Sequence, residues 1–136
     1  MFETFEHTAD LGLRVTASSR EELFAEAARG LFSMMVMNLD DVESVVERTY
    51  EIRGDEDDYL LFDWLNELLY TFESEKLLLA GFDVSIQYGK LQASAHGEIM
   101  NLTRHQMEHE VKAITYHGLR VEQVDGSWLA ELIVDI

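Results

Sequence analysis

The chain has 136 residues, of which 47% are hydrophobic, a length and composition that one domain fills with its own core without disulfides or metal staples. It contains no cysteine, which excludes disulfide frameworks and cysteine-ligated zinc or iron–sulfur centres. Its 27 acidic residues against 10 Lys and Arg give a formal net charge of −17, which serves solubility, argues against unaided nucleic-acid binding, and favours metal ions, basic small molecules or a basic protein surface as partners.

The opening MFETFEHTAD has neither the basic start nor the apolar run of a signal peptide, and nowhere do 18 apolar residues follow one another, so a soluble cytoplasmic protein with no membrane span is expected. Phe2, Thr4 and Glu6 alternate with Glu3, Phe5 and His7 as in a strand, and Leu11, Leu13, Val15 and Ala17 mark a second. Between them Asp10, followed by Leu11-Gly12, suits a tight connection, because aspartate competes for its local backbone and is depleted within strands. Ser19-Arg20-Glu21-Glu22 reads as a capping box, with Ser19 accepting from the Glu22 amide and Glu22 reaching back to that of Ser19. The helix it opens carries Leu23, Phe24, Ala27, Ala28, Leu31, Phe32 and Met35 at helical spacing and fades at Asn38.

After an acidic stretch, Val45, Glu47, Thr49 and Glu51 alternate with Val46, Arg48, Tyr50 and Ile52 as an exposed strand that Gly54 ends. Asp57 or Asp58 can cap a second helix, whose stripe of Leu60, Leu61, Trp64, Leu65, Leu68, Leu69 and Phe72 is wide enough for burial on nearly two sides, as befits a central helix. Phe82, Val84, Ile86 and Tyr88, a turn at Gly89-Lys90, and Leu91, Ala93 and Ala95 form a hairpin. Thr103 to Gln106 can cap a short helix, and the EVKAIT that follows suits helix or strand. Asp125-Gly126 signals a second hairpin, which pairs Val121 with Ala130, Leu119 with Leu132 and His117 with Val134, and sets Arg120 opposite Glu131 on the other face with Asp135. Two to three helices packed with about seven mostly antiparallel, hairpin-linked strands, without strict βαβ alternation, predict a single-domain α+β sandwich over residues 1–136.

At the end of the chain, Ile133-Val134-Asp135-Ile136 sets a side-chain carboxylate one residue before a terminal one. If Asp10 lies beside them, three carboxylates converge, and like charges so close raise a pKa or recruit a cation. Oxygen-only ligation selects Ca²⁺, Mg²⁺ or Mn²⁺ over zinc; the alternative is a frayed, solvated terminus. His105-Gln106-Met107-Glu108-His109 matches the inverted zinc-protease pattern, which needs both histidines on one helix and a third ligand. His7 and His96 suit hydrogen-bonded roles. Lys112 interrupts an apolar run and either pairs with a carboxylate or faces a phosphate. A Gly-rich phosphate loop, a Gly-x-Ser-x-Gly elbow and aromatic-basic interleaving for RNA are all missing.

His7-Thr8-Ala9-Asp10 near the start, Lys112-Ala113-Ile114-Thr115-Tyr116-His117 late, and the closing Val134-Asp135-Ile136, with EELFAEAARGLF and LLFDWLNELLY in order between them, together resemble the archease family over the whole chain. The resemblance implies a small α+β accessory protein, not itself an enzyme, that assists an RtcB-type RNA ligase in tRNA splicing. By that resemblance it promotes GTP-dependent guanylylation of the ligase and restores its multiple turnover. The family's metal positions correspond to Asp10, Asp135 and Ile136, with calcium the implied ion, and Lys112 and His7 are candidate contacts to the partner or a phosphate. The competing expectations are a small metal-dependent phosphoesterase using the same carboxylates, and a general chaperone or modulator of nucleic-acid-modifying enzymes.

Overall fold

The computed structural model describes every residue except Thr8 and Ala9, together with the side chain of His7. In chain order it contains β1 (Phe2–His7), β2 (Asp10–Ala17), α1 (Arg20–Met35), β3 (Val46–Arg53), α2 (Asp57–Glu75), β4 (Leu77–Gln87), β5 (Lys90–Ile99), β6 (Ala113–Ile114), β7 (Arg120–Val124) and β8 (Ser127–Asp135). One sheet runs β1-β2-β8-β6 with β7 also on β8, and the other runs β3-β5-β4, every pairing antiparallel. Each helix touches both sheets: α1 meets β2 and β8 on one side and β4 on the other, while α2 meets β6 and β7 as well as β3 and β4. The helices are thus the filling of a three-layer α+β sandwich, and the wide apolar stripe of α2 is explained by its two covered sides.

Trp64 joins the layers. Fully buried, it donates its indole N–H to the Phe24 carbonyl of α1 at 3.0 Å and meets Tyr50 and Phe82 of the second sheet edge-on at 5.4 and 6.2 Å. Tyr50 in turn shares a 2.8 Å hydrogen bond with Thr71, so the polar tip of each ring is satisfied within the packing. Among the described residues no helix is long and apolar enough to cross a membrane.

Several local expectations are corrected. Ser19 caps α1 through the Glu22 amide at 3.1 Å as read, but the Glu22 carboxylate returns to the hydroxyl and amide of Ser18, not to Ser19. α2 starts one residue earlier than an Asp57 cap requires: Glu56 occupies the cap position without a side-chain bond, Asp57 pairs with Arg20 at 3.0 Å, and Asp58 accepts from the adjacent Tyr59 amide. The first hairpin turns at Tyr88-Gly89, both at positive φ, which leaves Tyr88 fully exposed at the tip and not in the strand.

No helix follows Thr103. The segment from Asn101 to Lys112 is a strap across the C-terminal end of α1 that makes a single turn, with the amides of Arg104 and His105 on the Asn101 carbonyl, and then runs on so that the amides of Glu108 and His109 donate to the carbonyls of Met35 and Met34 at 2.9 and 3.0 Å. Those helix-end carbonyls have no partner within α1, so the amides of Glu108 and His109 are committed to capping and the turn begun at Asn101 does not continue as a helix. The Asp125-Gly126 hairpin forms as read, with Val121 opposite Ala130 and Arg120 opposite Glu131. Its outer two pairs do not form. Gly118, at φ +66°, and a bond from the Leu119 amide to the Tyr116 carbonyl turn the chain away from β8, and it is Ile114 of β6 that faces Val134.

Candidate functional site: the carboxylate end of the first sheet

Leu11, Leu13 and Val15 of β2 and Ala130, Leu132 and Val134 of β8 point to the helices, so the alternate residues of both strands form the outer face of the sheet. Strand register arranges that face in rows. Glu3, Arg14, Glu131 and Arg120 lie in line across four strands as an alternating charge ladder, with contacts of 2.9, 2.9 and 3.6 Å. In the next row the Phe5 ring lies over Gly12, where a Cβ would come within 2.0 Å of it, and the Arg14 guanidinium covers that ring at 4.9 Å. Gly12 therefore supplies the space that an aromatic residue of the neighbouring strand fills.

The following row holds the acids. Asp10 is the first residue of β2, not a turn residue, and stands opposite His7 on one side and Asp135 on the other, while Asp135 faces Ala113 of β6 across its second edge. Asp10 and Asp135 are thus direct cross-strand neighbours on one face, where like charges repel. Ile136 follows immediately and its side chain packs against the core. Among the described residues the side chains of Asp10 and Asp135, with Ile136 beside them, offer oxygen donors, which fit a hard cation. Among the described residues no three His, Asp or Glu side chains gather as a metal cluster.

The Lys112 amide donates to the Asp135 carbonyl at 2.8 Å, which fixes the backbone of Lys112 at the acid row while its side chain stays exposed. Among the described residues it has no ion pair, so the structural salt bridge considered for it is not made. The side chain of His7 and the residues Thr8 and Ala9 lie outside the described residues. His96 bonds Glu47 at 2.9 Å, as a hydrogen-bonded histidine should.

The zinc-protease reading of His105 and His109 fails on geometry. His105 is 2% exposed and its Nδ1 accepts from the Asn101 amide at 2.9 Å, so the neutral ring carries its proton on Nε2. That nitrogen lies 3.3 Å from Glu98 but out of line for a hydrogen bond, and His109 sits farther along the extended strap. Glu98 is the anchor here: hydrogen bonds from Arg104, and then from the Glu43 amide, hold its carboxyl down to about 2.

Two features lay beyond local reading. The pairing of β2 with β8 creates the acid row and the ladder's centre, and no nearby residues announce it. The loop that leaves β8 at Tyr116 lays its ring flat on Phe62 of α2, with centroids 3.9 Å apart and an interplanar angle of 11°, and edge-on to Tyr59 at 5.8 Å.

Comparison with known proteins agrees with this architecture. The "Protein archease" of Pyrococcus abyssi is 40% identical over 140 residues, covering 99% of this chain and 98% of its own. That of Methanopyrus kandleri is 40% identical over 139 residues, with 99% of each covered. A solution structure of a Methanobacterium thermoautotrophicum protein superposes with a TM-score of 0.89 at 35% identity over 99% of this chain and 98% of that one. The crystal structure of a Thermotoga maritima protein described as "an archease, possible chaperone" shares the fold, with a TM-score of 0.68 at 21% identity over 100% and 98%. The sequence profile of the Archease protein family matches residues 2–136, and with relatives of such identity along nearly their whole length, the chain belongs to the archease family.

Proposed function

We propose that this chain is an accessory protein of an RtcB-type RNA ligase, which promotes GTP-dependent guanylylation of the ligase and so its multiple turnover in tRNA splicing or RNA repair, with no turnover of its own. The observation that carries the reading is the meeting of three separated motifs at the end of β8: Asp10 on one edge of Asp135, Ala113 of the KAITYH segment on the other, and Ile136 directly after. A solvated terminus does not require that meeting.

A divalent cation, Ca²⁺ by resemblance and Mg²⁺ or Mn²⁺ by donor chemistry, would be held by Asp10, Asp135 and Ile136 and would supply a positive centre between these carboxylates and the anionic groups of a ligase site. Asp135 is fixed from both strand edges, so the row is held by the sheet before a partner arrives. Lys112, tied to the same strand end by its amide, presents an exposed ammonium that can meet a phosphate of GTP. The net charge of −17 steers the protein toward a basic RNA-binding partner and away from RNA itself. The description of the Thermotoga protein as a possible chaperone is in keeping with an accessory role.

The test is RNA ligation by a matched RtcB-type ligase with RNA and GTP in excess, with and without this protein and with Asp10→Ala. Multiple turnover only with the unmutated protein is expected, and it should weaken as salt is raised. No stimulation at any ionic strength overturns the reading, and metal-dependent hydrolysis of a phosphate ester by the protein alone replaces it with the phosphoesterase.

A further inference from the structure

We infer that the corner formed by the rings of Tyr59 and Tyr116, with Asp58 beside it, receives an arginine side chain of a basic partner protein. Stacking on Phe62 uses one face of the Tyr116 ring, yet Tyr116 remains 56% exposed and Tyr59 52% exposed. The rings meet at 70°, and with Asp58 and Leu119 they line a depression of about 470 Å³. Anchoring the loop needs only the Phe62 stack; a second tyrosine across an open hollow is surface that packing leaves unused.

Charge says what fits. Asp57 is matched by Arg20, but among the described residues its neighbour Asp58 has no ion pair, and only one of its oxygens is engaged, by the Tyr59 amide at 2.9 Å. Both aspartates lie in the first turn of α2, and with Asp57 taken by Arg20 the Asp58 carboxylate is the charge that faces the hollow. A guanidinium is flat and weakly hydrated, stacks on aromatic faces and pairs with a carboxylate, whereas an ammonium surrenders more hydration for the same contacts. In a chain of net charge −17, the complementary occupant is a basic protein. Only Ile114 and Thr115 separate Tyr116 from Ala113, the residue opposite Asp135, so one partner can reach both places.

The identity of that partner rests on the ligase-accessory reading; the corner's preference for a guanidinium does not. The first measurement is an NMR titration of the ring resonances with a blocked Gly-Arg-Gly peptide at low salt, and with Gly-Lys-Gly. Tyr70 and Tyr88, exposed and among the described residues without a ring contact, are the internal controls. The arginine peptide is expected to shift Tyr59 and Tyr116 saturably and to bind more tightly than the lysine peptide. Tyr116→Leu should weaken it about three- to tenfold, while Tyr116→Phe, which keeps the ring and the fold, should not. Equal shifts at all four tyrosines, or unchanged affinity in Tyr116→Leu, would overturn the corner. With the ligase, binding weakened in Tyr116→Leu supports the partner assignment, and wild-type binding by that variant overturns it. Should the unmutated protein neither bind nor stimulate the ligase, the accessory reading falls while the peptide result stands on its own.

Discussion

Asp135→Asn separates the two things a pair of opposed aspartates can be. Asp10 and Asp135 are direct cross-strand partners, and like charges so placed destabilise a sheet by about 0.2–1 kcal/mol. Asparagine keeps the shape and removes one charge. With chelator present, the variant should therefore equal the wild type or exceed it by up to about 1 kcal/mol. With a bound divalent cation the sign reverses. A ligand held only by the native state stabilises it by RT ln(1 + [L]/Kd), about 2.7 kcal/mol at a hundredfold excess over Kd, and removal of an anionic ligand forfeits most of that. For a chain of this length 1 kcal/mol corresponds to roughly 3–5 °C, so saturating calcium should raise the wild-type Tm by roughly 8–14 °C and that of the variant by little. Thermal unfolding followed by circular dichroism, in chelator and across a calcium titration, reads both signs. Parallel responses to calcium in the two proteins would refute the cation site, and a variant less stable by the same amount in both conditions would mean that the Asp135 carboxylate serves the sheet alone.

Gly12→Ala places a Cβ where the Phe5 ring lies and should cost about 1–3 kcal/mol in urea unfolding, but less than half as much in a Phe5→Ala background, since the nearest atoms it meets all belong to that ring. Trp64→Phe removes the hydrogen bond to the Phe24 carbonyl and leaves a partial cavity where the two helices meet the second sheet, a loss of roughly 1–3 kcal/mol by the same assay. Glu98 titrates in the folded protein at about 2, below its ordinary value of 4.5, chiefly because Arg104 bonds its charged form. Its contribution is therefore complete above pH 4.5 and lost as the pH falls toward 2, so stability should decline more steeply over that window in the wild type than in Glu98→Gln; identical slopes would contradict it.

The helices and hairpins were legible because each is fixed by residues near in sequence. Ser19 caps α1 through a residue three places on, Asp125-Gly126 twists its own two strands together, and the stripe of α2 is wide because both sides are covered. Errors fell where a distant partner competed with local preference. The strap from Asn101 to Lys112 gives up a helix because its amides complete the end of α1, and the last hairpin stops at Arg120 because the Tyr116 ring finds Phe62 on α2. The same competition undid the histidine pair, whose five residues spell a zinc helix only if they are free to form one.

The candidate site poses the harder version of that problem, since Asp10 and Asp135 are acids of no local distinction until β2 meets β8. Alternation narrows the choice: with Leu11, Leu13 and Val15 facing the helices alongside Ala130, Leu132 and Val134, a slip by one residue would expose the core, and both aspartates must share the outer face. A slip by two keeps the core buried and is excluded by something else. In the observed register Arg14 faces Glu131; shifted two residues either way it would face Leu129 or Ile133, and Asp10 would no longer meet Asp135. Arg14 is held from the other side by Glu3, and Glu131 by Arg120, so slippage would break a four-member ladder where an isolated surface pair would give way easily. The opposition of the two carboxylates is therefore set two rows away, by charges that attract.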